Sequence, residues 1–379
     1  MFLKQIKLKN YRNYEKIEVE FKSPITLIIG KNAQGKTNLL EAVQYLSSLA
    51  SSRAKTDSEL IRWGQEFAYI YGKVCKEDDE FELETIINPP KRKILKVNDI
   101  KKSKSSEFIR YLSVVSFNVS DLLLLRGAPD DRRDWLDLAI SQIYPSYIDR
   151  LQKYNKIKVQ KNNYLKDIKG NLQADTSLMD ILNLQLAISG SNILYLRIKF
   201  LKELLKIAQI KHGEIAHDEK LSVIYNSKVI DDFDILNDGE LSVEQISQIF
   251  ENKLQQRKQE EIIRGQSLVG PHRDDISYFI NNIDAKKYAS QGQQRTIVLS
   301  LKLSELSLIK DKTGEMPILL LDDVLAELDD IRQGYLLDAI GQSTQTIITS
   351  VDTLHFKEEY LSSVDIIKIN AGELMDNTK

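Results

Sequence analysis

Cysteine is all but missing: Cys75 is the only one in 379 residues, so no disulfide can form within the chain. The four histidines are scattered, with no companion at metal-ligand spacing, which removes the usual zinc patterns. Both absences fit a reducing compartment, and a cytoplasmic protein is expected. Long hydrophobic runs are missing too. None approaches the 18 residues of a membrane span, and Met1-Phe2-Leu3-Lys4-Gln5-Ile6 lacks the apolar core of a signal peptide. No membrane contact is expected. Charge of one sign is also lacking: 53 Lys and Arg face 55 Asp and Glu, a net charge of −2. A nucleic-acid partner would have to be held by local patches. What remains is a chain that is 42 % hydrophobic, globular, and long enough for two or three domains.

The stretch Gly30-Lys31-Asn32-Ala33-Gln34-Gly35-Lys36-Thr37 organises the rest. The apolar residues 25–29 before it read as a buried strand. Asn38-Leu39-Leu40-Glu41-Ala42-Val43 after it reads as an amphipathic helix. Strand, glycine-rich loop and helix is the context in which G-x-x-x-x-G-K-[ST] becomes a phosphate site. The glycines permit a tight wrap. The loop N–H groups and those at the helix start are free to meet phosphate oxygens. Lys36 is expected to reach the β- and γ-phosphates, and the Thr37 hydroxyl to bind Mg²⁺.

Residues 2–8 and 17–21 alternate and read as antiparallel strands joined through Asn10-Tyr11-Arg12-Asn13-Tyr14. Arg12 could reach the nucleotide or sit in a solvated turn. Residues 67–75, 81–87 and 94–97 read as further strands. Lys91, Arg92, Lys93, Lys96, Lys101, Lys102 and Lys104 make the clearest basic stretch, opposed only by Asp99. It is either a phosphate-attracting patch or a solvated hairpin. Residues 112–117 form a short strand, and Asp130 to Ala139 start a helix. From Tyr147 to about Gly265 the pattern is largely helical, with a third long helix over Val243 to Ile263. Arg150, Lys153, Lys156, Lys158, Lys161 and Lys166 crowd its exposed faces, most of them as a wet surface. After Gly270-Pro271-His272-Arg273-Asp274-Asp275 comes a strand at 276–280 and a hairpin turn at Asn281-Asn282. His272, without a metal-spaced companion, reads as structural.

Two later stretches complete a site. Ser290-Gln291-Gly292-Gln293 opens a helix carrying Val298, Leu301, Leu303, Leu306 and Ile309, and forms a second anion-binding turn. Pro317-Ile318-Leu319-Leu320-Leu321-Asp322-Asp323 is an all-apolar strand ending in two carboxylates, as expected in the middle of a parallel sheet. Asp322 is expected to hold Mg²⁺, and Asp323 to orient or deprotonate the attacking water. Ala326-Glu327-Leu328-Asp329 and a buried strand at residues 345–350 follow.

The order of phosphate loop, S-Q-G-Q-Q-R-T, L-L-L-D-D and A-E-L-D resembles an ABC-type ATPase head of the SMC kind. With K-N-Y-R-N-Y, G-P-H-R-D-D and D-D-V-L-A-E-L-D, the chain resembles the RecF family of bacterial recombination mediators from the first strand to about Thr349. The resemblance implies an α/β fold: a P-loop NTPase head with a mixed and an antiparallel sheet, residues 1–120 and 266–379, and an inserted helical domain, residues 121–265. It implies ATP sandwiched between Gly30 to Thr37 of one protomer and Ser290, Gly292 and Gln293 of another. ATP would drive a homodimer that binds gapped DNA or single/double-strand junctions, with weak, DNA-stimulated hydrolysis. With RecR and RecO it would help load RecA during DNA repair, replication and the SOS response. Three departures stand out. Asp323 replaces the glutamate of most such heads, the switch histidine gives way to Thr349 or Ser350, and no lobe-linking glutamine follows the 112–117 strand. A second reading is an SMC-like ATPase acting mainly through protein partners; the basic stretches favour the DNA reading.

Overall fold

The computed structural model describes residues 1–77, 79–231, 239, 241–340, 344–353, 361 and 364–375. The chain starts with β1 (Phe2–Tyr11), β2 (Tyr14–Glu20) and β3 (Ile25–Ile29), followed by α1 (Lys36–Ser48). Next come β4 (Ala68–Lys76), β5 (Asp79–Ile87), β6 (Ile94–Val97), β7 (Ile100–Lys102), α2 (Ser106–Ile109) and β8 (Val114–Asn118). The helical stretch holds α3 (Leu123–Arg126), α4 (Pro129–Ile143), α5 (Ser146–Asp167), α6 (Ser177–Ile215), β9 (Leu221–Asn226) and α7 (Val243–Arg264). Then follow β10 (Asp275–Ile280), β11 (Ile283–Asp284), α8 (Ala285–Tyr288) and α9 (Gln291–Thr313). The chain closes with β12 (Ile318–Asp322), α10 (Asp330–Ile340), β13 (Thr346–Ser350), β14 (Asp365–Asn370) and β15 (Glu373–Met375).

Two compact units result, Met1–Asp121 with Val298–Lys379, and Leu122–Ile297. The first carries an antiparallel sheet in the order β2-β1-β4-β5-β6-β7 and a second sheet in the order β15-β14-β3-β13-β12-β8. In the second sheet all pairings are parallel except the β14–β15 hairpin. Its central strands are mainly apolar and do not alternate. Leu27, Ile28, Ile318 to Leu321, Ile347 and Ile348 are all buried, as strands covered on both faces require. Helix α1 buries Leu39, Leu40, Ala42, Val43 and Leu46 among β4, β8, β12 and β13. This burial fixes the helix that carries Lys36 and Thr37. The first two strands extend to Tyr11 and from Tyr14, so the turn between them is only Arg12-Asn13, with Arg12 at φ 53°.

The second unit packs α5, α6 and α7 with the sheet β11-β10-β9. Gly190 allows the close approach: a Cβ there would lie 2.5 Å from the Phe250 ring and 3.0 Å from Tyr154. Asn281 and Asn282, at φ 50° and 65°, make the expected hairpin turn. Three expectations need correction. The region 147–265 contains β9, which pairs antiparallel with β10 along its whole length. Because of that pairing, residues 266–297 belong with the second unit, and the return to the first lies at Val298. Lys161 is not on a wet face: it is fully buried, 2.6 Å from an equally buried Glu261.

Candidate functional site

The phosphate loop is shaped by steric necessity. Gly35 has φ +116°, and a Cβ there would lie 2.7 Å from both Asn13 Nδ2 and the Tyr14 hydroxyl. A Cβ on Gly30 would meet the Ile369 carbonyl oxygen at 2.3 Å. Tyr14 donates to the Gly35 carbonyl (2.9 Å) and Asn13 to that of Gln34 (3.2 Å), so the β1–β2 turn clamps the loop from outside. Gln34 O also accepts from Gly372 N at 3.1 Å, and Gly30 N donates to Ser350 O at 3.3 Å. Ala33, at φ 63°, carries a left-handed backbone without glycine's freedom. Lys31 and Asn32 complete the loop through their main chains.

Lys36 Nζ bridges the mouth of this loop, 2.7 Å from Gly30 O and 3.3 Å from Lys31 O. No side chain caps the start of α1, which leaves its first N–H groups for an anion. The Thr37 hydroxyl donates to Asp322 Oδ1 at 3.0 Å. Thr349 donates to the same oxygen at 2.7 Å, and its own oxygen accepts the Asp323 N–H at 3.0 Å. Burial raises the Asp322 pKa, and the hydrogen bonds from Thr349 and Thr37 pull it back. A hydroxyl and a carboxylate oxygen converging on one point suit a hard cation that keeps waters and phosphate oxygens as its other ligands. No group of three or more His, Cys, Asp or Glu able to hold a metal occurs among the described residues. The loop and its two oxygen donors therefore fit a nucleoside triphosphate with Mg²⁺.

Asp323 leaves the strand at φ 53°, and its charge adds to the upward push on the Asp322 pKa. Arg12 is engaged elsewhere: Nε and Nη2 grip the Glu41 carboxylate at 2.8 and 2.6 Å, and Nη1 donates to Glu59 O at 2.9 Å. Ser290 and Gln293 form a reciprocal cap on α9. Gln293 N donates to Ser290 Oγ (3.2 Å) and Ser290 N to Gln293 Oε1 (2.8 Å), and Gln293 Nε2 also donates to Glu219 (3.0 Å). Ser290 stays exposed and Gly292 adds no side chain, so the helix start is open. These residues belong to the second unit.

Sequence reasoning missed Asn118. It ends β8 and lies in register with Asp322 across the sheet. Its N–H donates to Asp121 (2.7 Å), which pairs with the buried Lys302 at 3.3 Å. The available signal was a polar residue ending an apolar strand, which sequence alone does not align with Asp322.

The family described as RecF/RecN/SMC N terminal domain matches residues 2–372. A protein of Bacillus cereus (strain G9842) named DNA replication and repair protein RecF is 42 % identical over 373 residues, 98 % of each chain. A structure of the recombination mediator RecF with ATP, from the RecFOR pathway, superposes with TM-score 0.87 at 35 % identity, covering 99 % of this chain and 97 % of that one. An Smc head bound to the C-winged helix domain of ScpA superposes with TM-score 0.53 at 15 % identity, over 99 % and 96 % of the two chains, a likeness of fold. The fold is that of an ABC-type ATPase head.

Proposed function

Because the chain belongs to the RecF family, we propose that it is an ATP-dependent, DNA-binding recombination mediator acting in DNA replication and repair. Relatives with that name, and a RecF structure holding ATP, support the reading. The observation that carries it is the convergence of Thr37, Asp322 and Thr349 beside a glycine-shaped loop that Lys36 spans. The loop from Gly30 to Thr37 would cradle the phosphates, with Lys36 on the β- and γ-phosphates. Thr37 and Asp322 would hold Mg²⁺, which when bound neutralises charge on the transferred phosphoryl group. Asp323 would orient or deprotonate the attacking water. Its carboxylate is one methylene shorter than a glutamate's, which fits slow, weak hydrolysis; stimulation by DNA is part of the same reading.

The open start of α9 would complete the site of a second copy, with Ser290, Gly292 and Gln293 meeting the γ-phosphate. The existing cap would have to loosen as it does so, because Gln293 spends its amide on Ser290 and Glu219. ATP then favours a homodimer, and the dimer binds gapped DNA or a single/double-strand junction. RecR and RecO are the expected protein partners, with RecA loading as the outcome. Among the described residues no helix is long and apolar enough to cross a membrane.

Mass in solution tests this reading. The chain is measured alone, with ATP and Mg²⁺, and again with gapped DNA. A monomer that doubles with ATP and then retains DNA supports it. A monomer throughout, with ATP bound, removes the shared site and favours an ATPase working through protein partners.

A further inference from the structure

Trp63 is 99 % exposed, the most exposed large apolar side chain among the described residues. An indole normally contributes a large buried area, so full exposure needs a reason. The backbone beneath it is held firmly. Arg62 N donates to Asn10 O at 2.9 Å, and Ile61 forms a bridge to Tyr11 of β1. Gln65 N donates to Arg62 O at 3.0 Å, closing a four-residue turn. Gly64, at φ +79°, takes the third position, as a type II turn requires. The turn is stapled to the sheet and points its tryptophan at water.

Trp63 borders an open groove of about 450 Å³, lined mainly by polar side chains (Ser58, Arg62, Gln65, Glu66 and Asn88) with Ile61 and Pro89. At Asn88 the groove runs into the next turn, where Lys91 N donates to Asn88 O at 3.0 Å. Lys91 and Arg92 are both exposed. Of the neighbouring carboxylates, Glu15 is paired with Arg62 (2.8 Å) and Glu59 accepts from Thr56 N (3.0 Å). Glu66, just after the turn, is an exposed acid on the groove itself, outnumbered by Arg62, Lys91 and Arg92.

We propose that Trp63 is a stacking platform for an unpaired base of single-stranded DNA, with Lys91 and Arg92 on the adjoining phosphates. An aromatic face beside cations is how single strands are held without regard to sequence. A protein anchor would be ringed by large apolar side chains; here Ile61 and Pro89 are the apolar neighbours, and Ser58, Arg62, Gln65, Glu66 and Asn88 outnumber them. Bases in a duplex are already stacked and offer this indole no free face. The inference rests on the DNA-binding reading and deepens it, because it names the feature that reads the single-stranded side of a gap or junction.

Two tryptophans make the test direct. Trp63 is exposed and Trp135 is 6 % exposed, so the solvent-facing emission belongs to Trp63. The full chain is titrated with oligo-dT in ATP and Mg²⁺, following tryptophan emission and the anisotropy of labelled DNA. The expected result is quenching that Trp63→Ala abolishes. Affinity of Trp63→Ala for oligo-dT should fall about tenfold, equivalent to about 1.4 kcal/mol. Trp63→Tyr should restore it, and duplex of equal length should bind both proteins alike. Equal oligo-dT affinity in Trp63→Ala, with unquenched wild-type emission, overturns the proposal and leaves the DNA-binding reading standing. Loss of the ATP-driven dimer in Trp63→Ala, with DNA affinity intact, also overturns it and assigns the indole to a contact between copies. A wild-type chain that binds no DNA at all fails the broader reading first.

Discussion

Replacing Asp274 with asparagine should change how stability depends on pH, because Asp274 and His272 titrate in opposite senses inside the second unit. Asp274 is fully buried, accepting from the Tyr225 hydroxyl and the Lys228 N–H, both at 2.7 Å. Burial pushes its pKa up to about 6, and Arg197 offsets part of that. Its stabilising contribution is therefore complete below about pH 4 and is lost as pH rises through 6. His272 bonds the Tyr154 hydroxyl through Nδ1 at 2.6 Å. Burial, with Lys158 and Arg273 nearby, pushes it down to about 3. It stays neutral in the fold while the unfolded chain takes up a proton, so its contribution is lost as pH falls below about 6.5. Between pH 4 and 6 the two slopes oppose one another. Asp274→Asn removes one of them. The stability of the variant minus that of wild type should rise by about 2–3 kcal/mol from pH 4 to 7, at about 1.4 kcal/mol per unit over the titrating range. A constant loss of about 1–3 kcal/mol from one missing acceptor is superimposed on it. For a unit of this size the pH-dependent part amounts to roughly 5–10 °C in Tm. Paired calorimetric scans at pH 4, 5, 6 and 7 measure it, and the other carboxylates cancel in the difference. A difference that stays flat across this range refutes the argument that burial holds the Asp274 proton.

Thr349→Val keeps the shape but deletes a hydrogen bond to the Asp322 carboxylate and orphans the Asp323 N–H, at a cost of about 2–4 kcal/mol. Urea midpoints should fall at constant m-value, Thr349→Ser should stay near wild type, and an unmoved midpoint would reject the role. Asp323→Asn should still bind ATP and dimerise while turnover falls roughly 100-fold, the lower range for losing a general base; unchanged turnover moves the base elsewhere. Ser290→Arg should bind ATP as a monomer and melt somewhat lower for want of its cap, by about 1 kcal/mol. Normal dimerisation in that variant would contradict a shared site.

The head was legible in the sequence because its key elements announce themselves locally. Residues 25–29 are apolar but for Thr26, Ile318 to Leu321 form an unbroken apolar run, and each leads directly into its functional residues. What escaped depended on distant partners. Residues 221–226 alternate with Leu221, Val223 and Tyr225 buried, but only β10, some fifty residues later, makes them a strand. That same pairing moves residues 266–297 out of the head. Lys161 looks like its neighbours on α5, and only Glu261, one hundred residues away, permits its burial. Arg12 was ambiguous for the same reason, since its clamp is Glu41 on the helix after the loop. In the basic stretch, Lys93 is spent on Leu49 O and Asp57, and Lys96 on Glu84 and Asp99. Lys91 and Arg92 remain exposed beside the Trp63 groove.

Thr349 stands at the strand end where the switch histidine is missing, and its hydrogen bonds define its surroundings. Asp322 is flanked in register by Thr349 on β13 and by Asn118 on β8. The Thr349 hydroxyl donates to the Asp322 carboxylate and accepts from the Asp323 backbone, so one atom links the two acids. A hydroxyl oxygen can do both at once, whereas each nitrogen of a neutral imidazole does only one. Strand β13 also pairs with β3, the strand that feeds the phosphate loop, and Ser350 O accepts the Gly30 N–H. Thr349 thus joins the Asp322 carboxylate to the Asp323 main chain, at the end of a strand that pairs with the one leading into the loop.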